Sequence, residues 1–196
     1  MAVVLVDAGG TNIGSVRYAL QRLGVEAALT ADPVTIRGAD KVILPGVGAA
    51  GPGMARLREL GLVELMRSLT QPVLGVCLGM QLLCTHSEEG DTECLGVIDA
   101  PVRRFHEAPG LRVPHMGWNA LASVRTHPLL DGLAAGEQAY FVHSYAVPVG
   151  DYTVATSDFG GPFSAVIARG NFHGMQFHPE RSAGVGARLL QNFLSL

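Results

Sequence analysis

The segment from Pro72 to Gly79 reads Pro-Val-Leu-Gly-Val-Cys-Leu-Gly, and it restricts the fold more than any other stretch. An apolar run of strand type, Pro72 to Val76, meets a helical pattern, Leu78 to Cys84, with no loop between them. A chain turns this sharply where small residues flank the turn, because a side chain there would collide with the crossing backbone. Gly75 and Gly79 flank Cys77 in that way, in the spacing G-x-nucleophile-x-G. A strand passing straight into a helix belongs to a parallel sheet whose strands are joined by right-handed helical crossovers. Such sheets bind ligands at their carboxyl edge, which is where the turn would lift Cys77. The same position is a helix N-terminus, where unpaired N–H groups and the dipole favour a thiolate over a thiol. The plainer reading, a small buried cysteine between two packing glycines, is compatible with the motif taken alone.

The rest of the first half agrees with a parallel sheet. Val3 to Val6, Val25 to Leu29 and Lys41 to Leu44 read as strands. Val16, Leu20 and Leu23 fall on one helical face before Gly24, and Met54 to Leu69 reads as a helix weakened at Gly61. In the second half, Tyr140 to Val149, Tyr152 to Thr156, Ser164 to Ala168 and Asn171 to Phe177 are strand-like. Gly150-Asp151, Gly160-Gly161 and Gly170-Asn171 separate them as hairpin turns would. A helix of about Gly184 to Leu194 closes the chain. With no repeat or linker in 196 residues, the expectation is a single α/β domain over 1–196. It has a central, mostly parallel sheet with added antiparallel strands, flanked by helices.

Composition removes several functions. Hydrophobic residues make up 48% and charged ones 16%, enough apolar surface to collapse into a core. A net charge of −3 argues against a basic nucleic-acid binder. The start, Met-Ala-Val-Val-Leu-Val-Asp, has no basic n-region, and no apolar run approaches the roughly 18 residues of a membrane span. The three cysteines form no short-spaced pair, so free thiols in a reducing, cytoplasmic compartment are expected. Neither H-E-x-x-H nor C-x-x-C occurs, so no metal is expected.

A nucleophilic cysteine needs a base, and the base must be oriented. His178-Pro179-Glu180, at the end of a strand-like run, offers both within one turn. His143, in Val142-His143-Ser144-Tyr145, competes as base but has no carboxylate nearby in sequence. His86, His106, His115 and His127 read as surface or loop residues. An oxyanion would need donors, for which the N–H of Leu78 and the loop Pro45-Gly46-Val47-Gly48 are candidates.

Five segments standing in register carry a resemblance. They are Leu44-Pro45-Gly46-Val47-Gly48-Ala49, Cys77-Leu78-Gly79-Met80-Gln81, Pro114-His115-Met116-Gly117-Trp118-Asn119, Phe141-Val142-His143-Ser144-Tyr145 and Gln176-Phe177-His178-Pro179-Glu180. The chain resembles the class I (triad) glutamine amidotransferases, specifically the glutaminase subunits of imidazole glycerol phosphate synthase. The resemblance implies that fold, with Cys77 as nucleophile, His178 as proton shuttle and Glu180 as its orienter. It implies glutamine contacts from the side chain of Gln81 and the backbone of Gly46, Gly48, Leu78, Ser144 and Tyr145. It makes Gly46, Val47 and Gly48, with Leu78, the oxyanion site. It implies no cofactor, and a (β/α)8-barrel cyclase partner that receives the ammonia and makes imidazole glycerol phosphate and aminoimidazole carboxamide ribonucleotide for histidine biosynthesis. Ala8 and Thr11 depart from the family's opening Asp-Tyr-Gly-x-Gly-Asn, while Asp7, Gly9 and Asn12 keep register. Arg181 stands where the family often has lysine, so Asn12 and Arg181 are the candidate interface residues.

Three alternatives stay open on sequence. The glutaminase subunit of pyridoxal phosphate synthase shares the triad but not the segment Pro114 to Asn119. Asp7 to Asn12 also resembles the phosphate hairpin of sugar kinases, which would require a strand where Val16 to Leu23 reads as helix. A catalytically silent partner-binding homologue would not need Cys77, His178 and Glu180 intact.

Overall fold

The computed structural model describes residues 1–9 and 13–196. The first half runs β1 (Val3–Val6), α1 (Ile13–Arg22), β2 (Ala27–Thr30), α2 (Pro33–Gly38), β3 (Lys41–Gly46), α3 (Ala50–Glu59), α4 (Val63–Ser68), β4 (Val73–Cys77) and α5 (Leu78–Leu82). It continues through β5 (His86–Ser87), β6 (Thr92–Glu93), β7 (Pro101–Arg104), β8 (His115–Ala120) and β9 (Ala122–Ser123). Last come β10 (Gln138–His143), β11 (Tyr145–Ala146), β12 (Thr153–Asp158), β13 (Pro162–Arg169), β14 (Phe172–Met175) and α6 (Ala183–Leu194).

Eight strands form the main sheet in the order β2-β1-β3-β4-β14-β13-β12-β9. The first five run parallel, and β13, β12 and β9 extend them antiparallel. β1 and β4 carry no charged or polar side chain apart from the Cys77 thiol, because both faces of the sheet are covered. Val3, Leu5, Ile43 and Leu74 pack with Val16 and Leu20 of α1 and with Leu189 and Phe193 of α6. Their alternates, Val4, Val42, Leu44 and Val73, pack with Ile36, Leu57, Met66 and Leu82 from α2 to α5. Side chains alternate along a strand, so one run of valine and leucine feeds two cores. Beside this sheet, β8 and β10 pair as an antiparallel ribbon, and β11-β7-β5-β6 make a small separate sheet.

Three expectations change. Met54 to Leu69 is two helices rather than one, because Gly61 adopts φ +67° and ends the first. Tyr140 to Val149 is two strands, β10 and β11, which belong to different sheets and part at Ser144. Gly150-Asp151 therefore joins two sheets and is no hairpin turn, whereas Gly160-Gly161 and Gly170-Asn171 do connect antiparallel neighbours. The helix at Ile13–Arg22 removes the strand that a kinase hairpin would require. Among the described residues, no helix is long and apolar enough to cross a membrane.

Candidate active site

Cys77 ends β4, caps α5 and adopts φ +54°, ψ −113°, a backbone conformation rare for an L residue. Glycines make the conformation attainable. A Cβ on Gly75 would lie 2.5 Å from the Gly79 carbonyl oxygen, and one on Gly46 would lie 2.7 Å from the Gly79 nitrogen. The elbow thus presses on β3 and on its own strand with nothing between the backbones. Cys77, 7% exposed, lies in the wall of a cavity of about 340 Å³, together with Val47, Gly48, Leu78, Gln81 and His178. Ser144 and Tyr145, at the break between β10 and β11, line it as well.

His178 follows β14 at the same edge of the sheet. Its backbone N–H donates to the Tyr140 carbonyl at 2.9 Å. The buried Ser182 hydroxyl donates to the His178 carbonyl at 2.6 Å and accepts from the Tyr140 N–H at 2.9 Å. The ring is fixed as firmly as the backbone: Nδ1 meets Glu180 Oε1 at 3.0 Å, leaving Nε2 for Cys77. Burial alone would lower the imidazole pKa, but hydrogen bonds to Cys77 and Glu180, and the negative charges of both, outweigh it. The pKa is pushed up to about 10. A thiol, an imidazole and a carboxylate in this sequence can pass a proton and hold the resulting cation.

The cavity's amide contacts form a second group. Gln81 Nε2 donates to the Tyr145 carbonyl at 2.9 Å and to Gln176 Oε1 at 3.0 Å. Gln176 Nε2 in turn reaches Cys77 Sγ at 3.8 Å. Sequence reasoning placed Gln81 here but gave Gln176 no role, although it precedes His178 by two residues on the same edge. Glu89 also went unnoticed. It lines the cavity while Oε2 accepts from the Ala50 N–H at 2.8 Å, and its acidic loop carries no pattern that marks it.

His143 borders the cavity with both ring nitrogens engaged, Nδ1 with the Tyr145 carbonyl at 2.8 Å and Nε2 with His115 at 3.0 Å. The geometry therefore gives the thiol to His178 and occupies its competitor. His115, expected at the surface, is instead 4% exposed inside β8. Gly46 stands off the cavity wall and faces the elbow, lining a neighbouring hollow with Ala8, Pro52 and Arg56. Arg181 lies outside the cavity with its guanidinium 4.2 Å from the centroid of the Tyr140 ring. Asn12 lies outside the described residues. Among the described residues, no three His, Cys, Asp or Glu side chains gather so as to hold a metal ion.

Comparison with known proteins shows the family of the chain and its fold. The family model "Glutamine amidotransferase class-I" matches residues 4–196. The imidazole glycerol phosphate synthase subunit HisH of Xanthomonas axonopodis pv. citri is 58% identical over 194 residues, covering 99% of this chain and 97% of that relative. The subunit of the same name from Xylella fastidiosa (strain Temecula1) is 57% identical over the same length. Among solved structures, a glutamine amidotransferase superposes with a TM-score of 0.77 at 22% identity, covering 100% of this chain and 98% of that one. PurLQS from Thermotoga maritima gives 0.73 at 20% identity, covering 99% and 97%. At such identities these two speak for the fold alone.

Proposed function

The chain belongs to the class-I glutamine amidotransferases, and from that premise we propose that it is the glutaminase subunit of an imidazole glycerol phosphate synthase, acting in histidine biosynthesis. The relatives that share more than half its residues along nearly its whole length carry that subunit name. The observation that carries the chemistry is the His178 ring, bonded to Glu180 at 3.0 Å and to Cys77 at the cavity wall.

In this reading the Cys77 sulfur attacks the side-chain carboxamide carbon of glutamine. The C–N bond breaks, His178 gives its proton to the leaving nitrogen, and ammonia departs from a thioester. Water then attacks the same carbon, His178 takes its proton, and glutamate leaves as the thiolate re-forms. The sum is glutamine plus water giving glutamate plus ammonia. The Leu78 N–H, at the head of α5, and the Gly46-Val47-Gly48 loop would supply donors to the oxyanion. Gln81, Ser144 and Tyr145 would bind glutamine, and Glu89 offers its ammonium a carboxylate.

The ammonia is consumed by a cyclase partner in a heterodimer, in the cytoplasm. Arg181 belongs to the proposed docking face, because it lies on Tyr140, whose ring meets the half-exposed Trp118 edge-on at 5.9 Å. Asn12 is the other proposed contact.

The test is the purified complex with Cys77→Ala. Glutamine hydrolysis is abolished, while the cyclase still forms product from added ammonium salt. Hydrolysis near the wild-type rate overturns the assignment. His178→Asn is similarly damaging, and His143→Asn keeps far more turnover. The reverse order moves the base to His143.

A further inference from the structure

Two of the sequence segments, Pro114 to Asn119 and Phe141 to Tyr145, supply no group to the proposed thioester chemistry, yet each buries a histidine. Their rings meet in an aromatic box. His115 is stacked between Phe141 at 5.0 Å and Phe159 at 4.4 Å, and Phe105 and Phe163 approach edge-on. Among these rings the two imidazoles bond to each other, His115 Nδ1 to His143 Nε2 at 3.0 Å.

The direction of that bond follows from both of its ends. At one end, the Tyr145 carbonyl can only accept, so His143 carries its proton on Nδ1. With His143 neutral, as its burial requires, Nε2 is then bare, and His115 must donate from Nδ1. At the other end, the Asp158 carbonyl accepts from Asn119 Nδ2 at 2.7 Å, and the Ala120 N–H donates to Asn119 Oδ1 at 2.8 Å. These two contacts orient the amide so that Nδ2 also donates to His115 Nε2 at 3.2 Å. Nε2 of His115 is therefore bare, which again puts the proton on Nδ1. Both rings are neutral in this scheme, since a second proton on either would set donor against donor. Burial acts in the same direction, lowering the pKa of His143 to about 3 and that of His115 to about 4.

We propose that His115, backed by Asn119, is a positioning residue for glutamine binding, acting through His143 on the Tyr145 carbonyl and hence on Gln81. The carbonyl that His143 fixes is the one that receives Gln81 Nε2 at 2.9 Å. The line of donors thus starts at β8, passes through the aromatic box and ends at two groups that line the substrate cavity. Its strand is built for the task, because β8 alternates: His115 and Asn119 turn inward while Met116 and Trp118 are exposed. The proposal rests on the glutaminase reading for its kinetic consequence, but the proton positions can be read without turnover.

The first measurement is the pair of side-chain ¹⁵N shifts of each histidine in the full chain at neutral pH. His115 and His143 both show a protonated Nδ1 and a bare Nε2. A proton on Nε2 of either ring overturns the relay, whether or not glutamine is hydrolysed. The second is kinetic, in the complex with the cyclase. His115→Phe fills the aromatic box and removes the donor, so KM for glutamine rises about tenfold to a hundredfold with kcat little changed. His115→Asn leaves a void but places an amide donor near the lost Nδ1, and KM returns toward wild type. A packing role predicts the opposite ranking, so Phe equal to or better than Asn overturns the proposal. If wild type does not hydrolyse glutamine, the glutaminase reading fails, and the ¹⁵N shifts still decide the relay.

Discussion

Gly75→Ala is the most direct challenge to the elbow. The added Cβ would lie 2.5 Å from the Gly79 oxygen, 2.6 Å from the Gly79 carbon and 2.6 Å from the Met80 nitrogen. Carbon contacts are comfortable near 3.5 Å, so the first turn of α5 must withdraw by about 1 Å. All three obstructing atoms are backbone, and no rotamer change relieves them. Overpacking of this kind costs about 1–3 kcal/mol, and the rigidity of the site places it at the upper end. For a chain of 196 residues that is a fall in Tm of about 6–12 °C, at roughly 2–4 °C per kcal/mol. The same withdrawal shifts Leu78 and Gln81, which ride on that turn, relative to Cys77 and the cavity wall. A misplacement of about 1 Å is worth about 10²-fold in rate. Glutamine hydrolysis assayed well below the lowered Tm should therefore drop by that order. Gly38→Ala is the control, since Gly38 sits at the end of α2 with nothing within 4 Å of its Cβ position. It should be neutral or stabilising by less than about 1 kcal/mol. A Gly75→Ala enzyme that melts and turns over as the wild type does would refute the account of the elbow.

Two further outcomes are expected. The pKa of His178 is raised from near 6.5 to about 10 in the folded chain, so its protonation stabilises the fold fully below about pH 6.5 and is lost as pH rises through about 10. The urea midpoint of wild type should then exceed that of Glu180→Gln by a margin that narrows between pH 7 and 10; a margin constant over that range contradicts the ion pair. Gly48 holds φ +95° in open space, so Gly48→Ala strains the loop without a clash. At about 1–2 kcal/mol of strain it should lower glutamine turnover in the complex about fivefold to thirtyfold, and turnover at the wild-type rate would show that the backbone conformation at Gly48 does not matter to catalysis. Gly46→Ala is no equivalent test, because its Cβ would strike the elbow.

The parallel half was legible because each of its signals is local. A valine-rich run, two glycines about a cysteine and a following apolar helix specify β4 and α5 within a dozen residues. The hairpins at Gly160 and Gly170 were legible for the same reason. Apart from the helix break at Gly61, which its own positive φ produces, what failed was whatever tertiary pairing decides. Tyr140 to Val149 is one β-prone run, and only its neighbours determine that it changes sheet at Ser144. That Cys77, Gln81, His178 and Glu180 would gather at one edge of the sheet was readable from motif and strand position. His115 was misread because a histidine in a stretch of proline and glycine shows no apolar periodicity, and its burial comes from Phe105, Phe141 and Phe159, distant in sequence. Gln176 and Glu89 belong to the same class, polar residues given meaning by what folds over them.

The three thiols differ in what surrounds them. Cys84 is closed in the core with its pKa driven far above the usual thiol range, chiefly by burial. Cys94 is 1% exposed and is likewise pushed up to about 11, chiefly by burial. Cys77 alone opens on a cavity and has an imidazole beside it. An electrophile such as iodoacetamide therefore meets one addressable sulfur per chain. Labelling stoichiometry becomes a count of competent sites, glutamine protects that sulfur, and the mass gained on full inactivation is that of a single adduct.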